Sequence, residues 1–389
     1  MNTDCPHFYL TDSQALLSVL PQMAKATELA LDLEFDRDRY AYGFTLCLIQ
    51  VSDAVNTWII DPMMSIDLQP FYRLLEDPSI RKVMHAPGED LSLLHQQGCF
   101  PRNIFDTERA ARLLNMELFS LGNLLQQFLG VELDKSQQRT DWTRRPLKEA
   151  QRSYAALDVV HLSALRKAIL AKPQHPDVST FIEAENGAWD HYRVEEKRPG
   201  WFVNKDDERK LPPFQLHVYN ALLAVRDRHA RRLNKPGYMI LSRDTALDLC
   251  FNDALFQQWE SLGGLHPTMK QRRMQEEFHL AFNKAYAEAH QLKLSKKSAS
   301  ASLSQQEREL AATQRKETAE KVERIYRPIQ QVMAERYGSF AAAYMLNERV
   351  MSELASGRMK LRDMPFPYRA TLIADIAKGL GISPEQQSE

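Results

Sequence analysis

Long apolar runs are missing from this chain of 389 residues. None approaches the roughly 20 residues that a helix needs to cross a bilayer, so a membrane-spanning protein is not expected. The opening MNTDCPHFYLTDSQ carries acid and lacks a basic segment followed by an apolar one. A secretory signal is therefore not expected, and the cytoplasm is the expected location. Cysteine is scarce: Cys5, Cys47, Cys99 and Cys250 lie far apart with no CxxC pair. That spacing argues against a zinc knuckle or a disulfide framework and suits reduced thiols. There is no surplus of charge, the formal net value being −1. A uniform positive coat is thereby excluded, although nucleic-acid binding needs only a local basic patch.

What is present is the composition of a globular protein, 44% hydrophobic and 26% charged. The length exceeds one ordinary domain and points to two or three. From residue 28 to about 170, ELALDLEF, TLCLIQVS, NTWIIDP, RKVMHA and RNIFDT read as strands. DLQPFYRLLED, EDLSLLHQQG, TERAARLLN and SLGNLLQQFLG read as helices. The first three strands follow closely enough for an antiparallel meander, after which strands and helices alternate, so an α/β domain with a mixed sheet is expected. Beyond residue 200 or so the pattern is helical, broken by Pro and Gly, as in PPFQLHVYNALLAVRDRHARRLNKPG. The polar stretch KLSKKSASASLSQQERELAATQRKETAEKVER begins as a Ser/Ala-rich linker and continues as an exposed helix.

Carboxylates carry the chemical signal. In LALDLEF, Asp32 and Glu34 stand two apart on a strand, which puts both on one face and Leu31, Leu33 and Phe35 on the other. Two acids side by side repel, and a divalent cation is the simplest compensation; a strand with one wet face would look the same. Asp90 opens a helix after RKVMHA, with Pro87 and Gly88 making the turn and Glu89 beside it. An acid there stabilises a helix start and can equally bind a ligand at the end of a strand. Tyr154 and Asp158 lie four apart in the helical run SYAALDVVHL, on one face, as a polar rim would also be.

Taken in order, D-x-E on a first strand, Asp at a strand-to-helix turn and Y-x(3)-D on a late helix resemble the DEDD exonuclease superfamily. More closely, the chain resembles the ribonuclease D family. The stretches that carry the likeness are LDLEFDRDRYAYGFTLCLIQVSD, KVMHAPGEDLSLL, IFDTERAARLLN and GVELDKSQQRTDWTRRPLKEAQRSYAALDVVHL. With Tyr154 it looks like the tyrosine subclass, since Ser153 stands where the histidine subclass would have histidine. Residues 211–290 resemble the helical HRDC domain through LPPFQLHVYNALLAVRDRHARRLNKPGYMILSRDTALDL and LFQQWESLGGL. A weaker likeness at the end of the chain rests on VMSELASGR and PFPYRATLIADIAKGL.

The resemblance implies a ribonuclease H-like exonuclease domain over residues 1–200, with its core at about 28–170. It also implies an HRDC-type domain at 205–290, a linker and exposed helix at 291–320, and a second, diverged HRDC-like domain at 321–383. It implies a 3′→5′ exoribonuclease releasing nucleoside 5′-monophosphates with two divalent ions, Mg2+ or Mn2+. Asp32 would bridge both ions, Glu34 and Asp158 would complete one site, and Asp90 would hold the other. An unperturbed phenol titrates near pH ~10, so Tyr154 is expected to orient the attacking water rather than to act as base. Lys135, Ser136, Arg139, Trp142, Arg145 and Pro146 precede the Tyr/Asp helix; the cations could meet phosphate, and the indole could stack on a base or pack in the core. In the helical half, Arg226, Arg228, Arg231, Arg232 and Lys235, with Lys270, Arg272 and Arg273, could contact phosphate or simply face solvent. His85 and Gln50 are expected in the core or behind the site. The expected partner is RNA, in the form of tRNA precursors with 3′ extensions, with no membrane and no obligate protein partner. A DNA 3′→5′ exonuclease and a non-catalytic RNA-binding protein are the competing readings, the second disfavoured by the complete acid set.

Overall fold

The structure, a computed structural model, describes residues 7–134, 136–194, 198–297 and 305–383. It divides into two compact units, one of Met1–Glu34, Leu46–Val194 and Glu309–Glu389, the other of Phe35–Thr45 and Glu195–Arg308.

The α/β part runs β1 (His7–Leu10), α1 (Ser13–Met23), β2 (Glu28–Arg37), β3 (Phe44–Ser52), β4 (Thr57–Ile60), α2 (Gln69–Glu76), β5 (Arg81–Met84), α3 (Gly88–Gln96) and β6 (Ile104–Asp106). Helices α4 (Thr107–Leu113), α5 (Leu121–Leu129), α6 (Glu149–Val160), α7 (Leu162–Leu170) and α8 (Pro176–Gly187) follow. The six strands form one mixed sheet in the order β1-β4-β3-β2-β5-β6. Strands β3 and β4 are antiparallel with Ile49 opposite Ile60, as the meander required, and β5 joins β2 in parallel with Ala30 opposite Val83. Strand β3 is buried from Leu46 to Ser52, as a central strand covered on both faces must be. Strand β1 was not expected. HFYL is too short to display a two-residue period, and its conformation comes from parallel pairing with β4.

The second unit is helical: α9 (Lys205–Lys210), α10 (Pro213–Leu233), α11 (Gly237–Ile240), α12 (Arg243–Phe251) and α13 (Arg272–Gln291). Phe214, Val218 and Leu222 of α10 meet Phe278 and Phe282 of α13 in its core, where the Trp259 indole N–H donates to the Met269 carbonyl at 2.7 Å.

Helices α14 (Gln305–Lys321), α15 (Arg327–Tyr337), α16 (Ser339–Met345), α17 (Glu348–Ala355) and α18 (Pro367–Gly379) close the chain. The described part of α14 is exposed almost throughout, as its polarity suggested, while the Ser/Ala-rich linker expected before it falls largely on 298–304, outside the described residues. The block after α14, expected as a domain of its own, instead shares one core with α4, α5, α7 and α8. Ile329, Met333 and Ile373 pack into the cluster that holds Ala110, Leu124 and Ile169. A block of about 60 residues buries too little apolar surface by itself to be comfortably stable, and this neighbour supplies the rest. Polar contacts fasten the join. Glu185 of α8 accepts from the hydroxyls of Tyr344 and Tyr368 and from Arg369. Tyr368 also stacks on Phe181 with ring centroids 4.2 Å apart. Asn115 Oδ1 accepts from the Phe340 N–H at 2.8 Å, and Gly338, at φ +92°, makes room: a Cβ there would stand 2.1 Å from the Asn115 side chain. Among the described residues no helix is long and apolar enough to cross a membrane.

Candidate active site

Strand β2 builds the first wall. Its alternation drives Leu29, Leu31 and Leu33 into the core, leaving Ala30, Asp32 and Glu34 on the opposite face, the two acids with an edge towards solvent. Strand β5 lies parallel beside it and delivers the chain to α3, whose first turn carries Asp90, 7% exposed. Parallel pairing thus brings the outgoing ends of β2 and β5 to the same edge of the sheet, where α/β proteins place ligands. Helix α6 builds the other wall. Ala155 and Ala156 lie against Leu48 and Ile59 of the sheet, and their small side chains let the helix approach closely enough to present Tyr154 and buried Asp158.

The five residues act on one another electrostatically. The Glu34 carboxyl is raised well above its ordinary value, first by burial and then by Asp32, Asp158 and Asp90. Asp90 is likewise raised, by burial and then by Asp32. Burial pushes Asp32 up to about 7, and burial together with Asp32 raises Asp158 to about 8. Tyr154, one helical turn before Asp158, has its phenol pushed far above 10 by burial and then by Asp158, Glu34 and Asp32. No Lys or Arg is ion-paired with any of the four carboxyls among the described residues. Nor, among the described residues, are three or more His, Cys, Asp or Glu side chains already gathered as a ready metal cage. An all-oxygen donor set, buried and without a basic partner, fits a hard divalent cation.

Behind the acids stands a residue that sequence reading passed over. Asp106, 1% exposed, caps α4 through the Glu108 N–H at 2.9 Å and also accepts from the Ala86 N–H at 3.0 Å. Ala86 has φ +51°, so Asp106 holds the strained turn from which Asp90 projects. Its position in IFDT, one of the stretches that carry the family likeness, was the available signal. His85 Nδ1 meets Thr107 Oγ1 at 2.9 Å, and burial lowers the imidazole to about 4, so it stays neutral behind the site. Gln50 is fully buried, as expected for a core residue, with no hydrogen-bond partner for its carboxamide among the described residues.

The basic residues before α6 divide. Lys135 lies outside the described residues, and Arg139 is exposed. Arg145, read as a phosphate contact, is committed to fully buried Asp61 by bonds of 2.5 and 2.7 Å and to the Cys47 carbonyl at 2.8 Å. Its charge was already matched within the fold. Trp142 is 4% exposed and packs 6.2 Å from the Tyr154 ring, so it supports the tyrosine instead of offering a face to a base. In the second unit, Arg228 pairs with Glu277 at 2.8 Å, Arg231 approaches Asp227 at 3.8 Å, and Arg232 reaches His229 Nδ1 at 3.1 Å.

Residues 8–173 match a family model described as 3′-5′ exonuclease. Ribonuclease D of Sphingobium indicum is 33% identical over 273 residues, a match covering 68% of this chain and 69% of that protein. The chain belongs to the ribonuclease D family. Ribonuclease D of Pseudomonas paraeruginosa is 35% identical over 250 residues, 61% of this chain and 63% of the relative. The chain thus spans between 63% and 69% of the length of these curated relatives. Among solved structures, that of Escherichia coli RNase D, an exoribonuclease involved in structured RNA processing, superposes with a TM-score of 0.66 at 23% identity over 96% of this chain and 99% of that one. A protein from Bifidobacterium adolescentis superposes at 0.71 and 21% identity over 97% of both chains. At such identities the likeness speaks for the fold, an α/β exonuclease domain followed by helical parts, which is the class read from the sequence.

Proposed function

We propose that the chain is a 3′→5′ exoribonuclease that releases nucleoside 5′-monophosphates, its chemistry supported by Asp32, Glu34, Asp90, Tyr154 and Asp158. The observation that carries this reading is the set of four acids presented by β2, α3 and α6, each raised by burial and three of them, Glu34, Asp90 and Asp158, also by neighbouring acids, with no ion-paired Lys or Arg among the described residues. Asp32, Glu34, Asp90 and Asp158 would hold the divalent ions, two of Mg2+ or Mn2+ on the family likeness. The chemistry supplied there would be a lowered pKa for the attacking water and charge stabilisation on the leaving oxygen of an in-line displacement. Tyr154 keeps its proton at neutral pH and is therefore a hydrogen-bond donor that orients the water, not a base. Asp106 fixes the turn that presents Asp90. The helical second unit would guide the strand, and exposed Arg139 would meet phosphate. Likeness to ribonuclease D relatives favours RNA as substrate, with tRNA precursors bearing 3′ extensions as the physiological class.

Incubating the protein with 5′-labelled RNA and DNA strands of one sequence, with Mg2+, Mn2+ or chelator, tests this directly. RNA should shorten stepwise from its 3′ end only when metal is present, and Asp32→Asn or Asp158→Asn should abolish the shortening. Internal cuts, or wild-type rates in either variant, would refute the assignment; faster degradation of DNA would overturn the preference for RNA.

A further inference from the structure

The second unit contains a cavity of about 980 Å3, lined by the β2–β3 turn, residues 198–208 and the far half of α10. Its size falls among ligand sites, which commonly enclose about 300–1,000 Å3. Arg226 forms part of the wall. Unlike Arg228, Arg231 and Arg243, which find Glu277, Asp227 and Asp207, it has no hydrogen bond and no carboxylate within ion-pairing distance among the described residues. Asp38 and Asp227 act on it only from farther away, while burial disfavours its charge. A half-buried guanidinium with five donors and no protein partner among the described residues is open to an anion that would complete it. The fold keeps that place open. A Cβ on Gly237 would stand 3.1 Å from Arg226 Nε, so glycine there leaves the guanidinium its position.

Aromatic residues line the same cavity. Trp201 lines the same cavity, with the Arg198 guanidinium 5.3 Å from its ring. Tyr42 is held by its hydroxyl, which donates to Asp227 at 2.8 Å and accepts from Arg231 at 3.3 Å. Tyr238, 52% exposed, stands at the rim and donates to the Arg39 carbonyl at 3.1 Å. A planar cation and aromatic rings lining one cavity match the two halves of a nucleotide, since arginine engages phosphate through a bidentate fork and bases stack on rings without regard to sequence.

We infer that this cavity binds one nucleotide of a single RNA strand, its phosphate on Arg226 and its base against Trp201 and Tyr238. The inference rests on the proposed function insofar as the strand is taken to be RNA. The ligand chemistry is that of a nucleoside 5′-phosphate, which could be a link of the substrate strand or a released product.

Both sources are separable in the full-length chain carrying Asp32→Asn, assayed in chelator so that nothing is cut. Fluorescein-labelled oligoadenylate is titrated by anisotropy across a salt series, with AMP added as competitor. Arg226→Met should weaken strand binding on the order of tenfold and flatten the salt dependence by roughly 0.7 of a logarithmic unit per decade, the loss of one phosphate contact. Trp201→Leu should weaken binding by a similar factor with the salt slope unchanged. Displacement by AMP would show that free product shares the site; lack of displacement would make the strand its occupant. Wild-type affinity and salt slope in both variants would overturn the inference. Should either variant fail to fold by circular dichroism, Tyr238→Ala at the exposed rim decides, and unchanged affinity there would be equally fatal. No cleavage enters the measurement, so an inactive nuclease would leave a positive result standing, and a negative result would leave the exonuclease reading untouched.

Discussion

Replacing Arg369 with methionine should destabilise the first unit by about 3–5 kcal/mol, the cost of removing one partner from a buried ion pair. Arg369 is 6% exposed and Glu185 is fully buried. The guanidinium donates to Glu185 through Nε at 3.1 Å and Nη2 at 2.5 Å, and to the Tyr344 and Met345 carbonyls through Nη1 at 3.2 and 3.3 Å. Methionine preserves the bulk, so the loss is electrostatic. Glu185 would keep the hydroxyls of Tyr344, at 2.6 Å, and Tyr368, without a countercharge. Replacing both members removes the orphaned charge but also the acceptor of the Tyr344 and Tyr368 hydroxyls, so Glu185→Leu combined with Arg369→Met should recover only part of the stability. Urea unfolding of the four proteins, followed by far-UV circular dichroism, measures the coupling; about 2 kcal/mol or more is expected. Stability of Arg369→Met within about 1 kcal/mol of wild type would refute the account, as would strict additivity in the double variant.

Tyr154→Phe should lower turnover about 100-fold, the usual cost of one positioned donor, while substrate affinity changes little; equal losses in both would make the tyrosine a substrate contact. The pH dependence of stability follows from Asp32, whose folded value rises from 3.8 to about 7. Between those values the folded state binds more protons than the unfolded one, so the metal-free protein should lose stability as pH rises through that window. Mg2+ should reduce the slope; melting temperatures from pH 4 to 8 that fall equally with and without Mg2+ would contradict the cation's role. Ending the chain before residue 309 removes the apolar partners of α4, α5, α7 and α8, so the truncated protein should melt without cooperativity or aggregate. A cooperative transition at the wild-type temperature would show that the final block is dispensable to that core.

Much of the site was legible because its residues obey local periods. A spacing of two on β2 and of four on α6 decides which side chains share a face, and no distant contact is needed to see it. Arg145 was misread for the opposite reason. Its partner Asp61 lies 84 positions earlier, at the end of NTWIIDP, and nothing local to DWTRRP shows that the charge is matched. The final helices were recognisable as helices, but amphipathicity shows which face is apolar and not what covers it, so their merger with the exonuclease core could not be read. Strand β1 escaped because four residues are too few to display a period. Asp106 escaped because a helix cap and a support for the neighbouring turn look alike until Ala86 is seen to donate to it.

The discontinuity of the first unit has a bearing on its synthesis. Ile182 and Ile373 belong to one hydrophobic cluster, yet every helix of the second unit is translated between them. At about 5–20 residues per second, the sheet and its helices would wait roughly 10–40 s after emerging before the last helix reaches them. During that interval the apolar faces of α4, α5, α7 and α8 stand exposed, which makes the nascent chain a candidate for chaperone capture. A ribosome that stops early would release a polypeptide holding every acid of the site on an unfinished core, so completion of the core, and with it a stable nuclease, is tied to translation of the final helices.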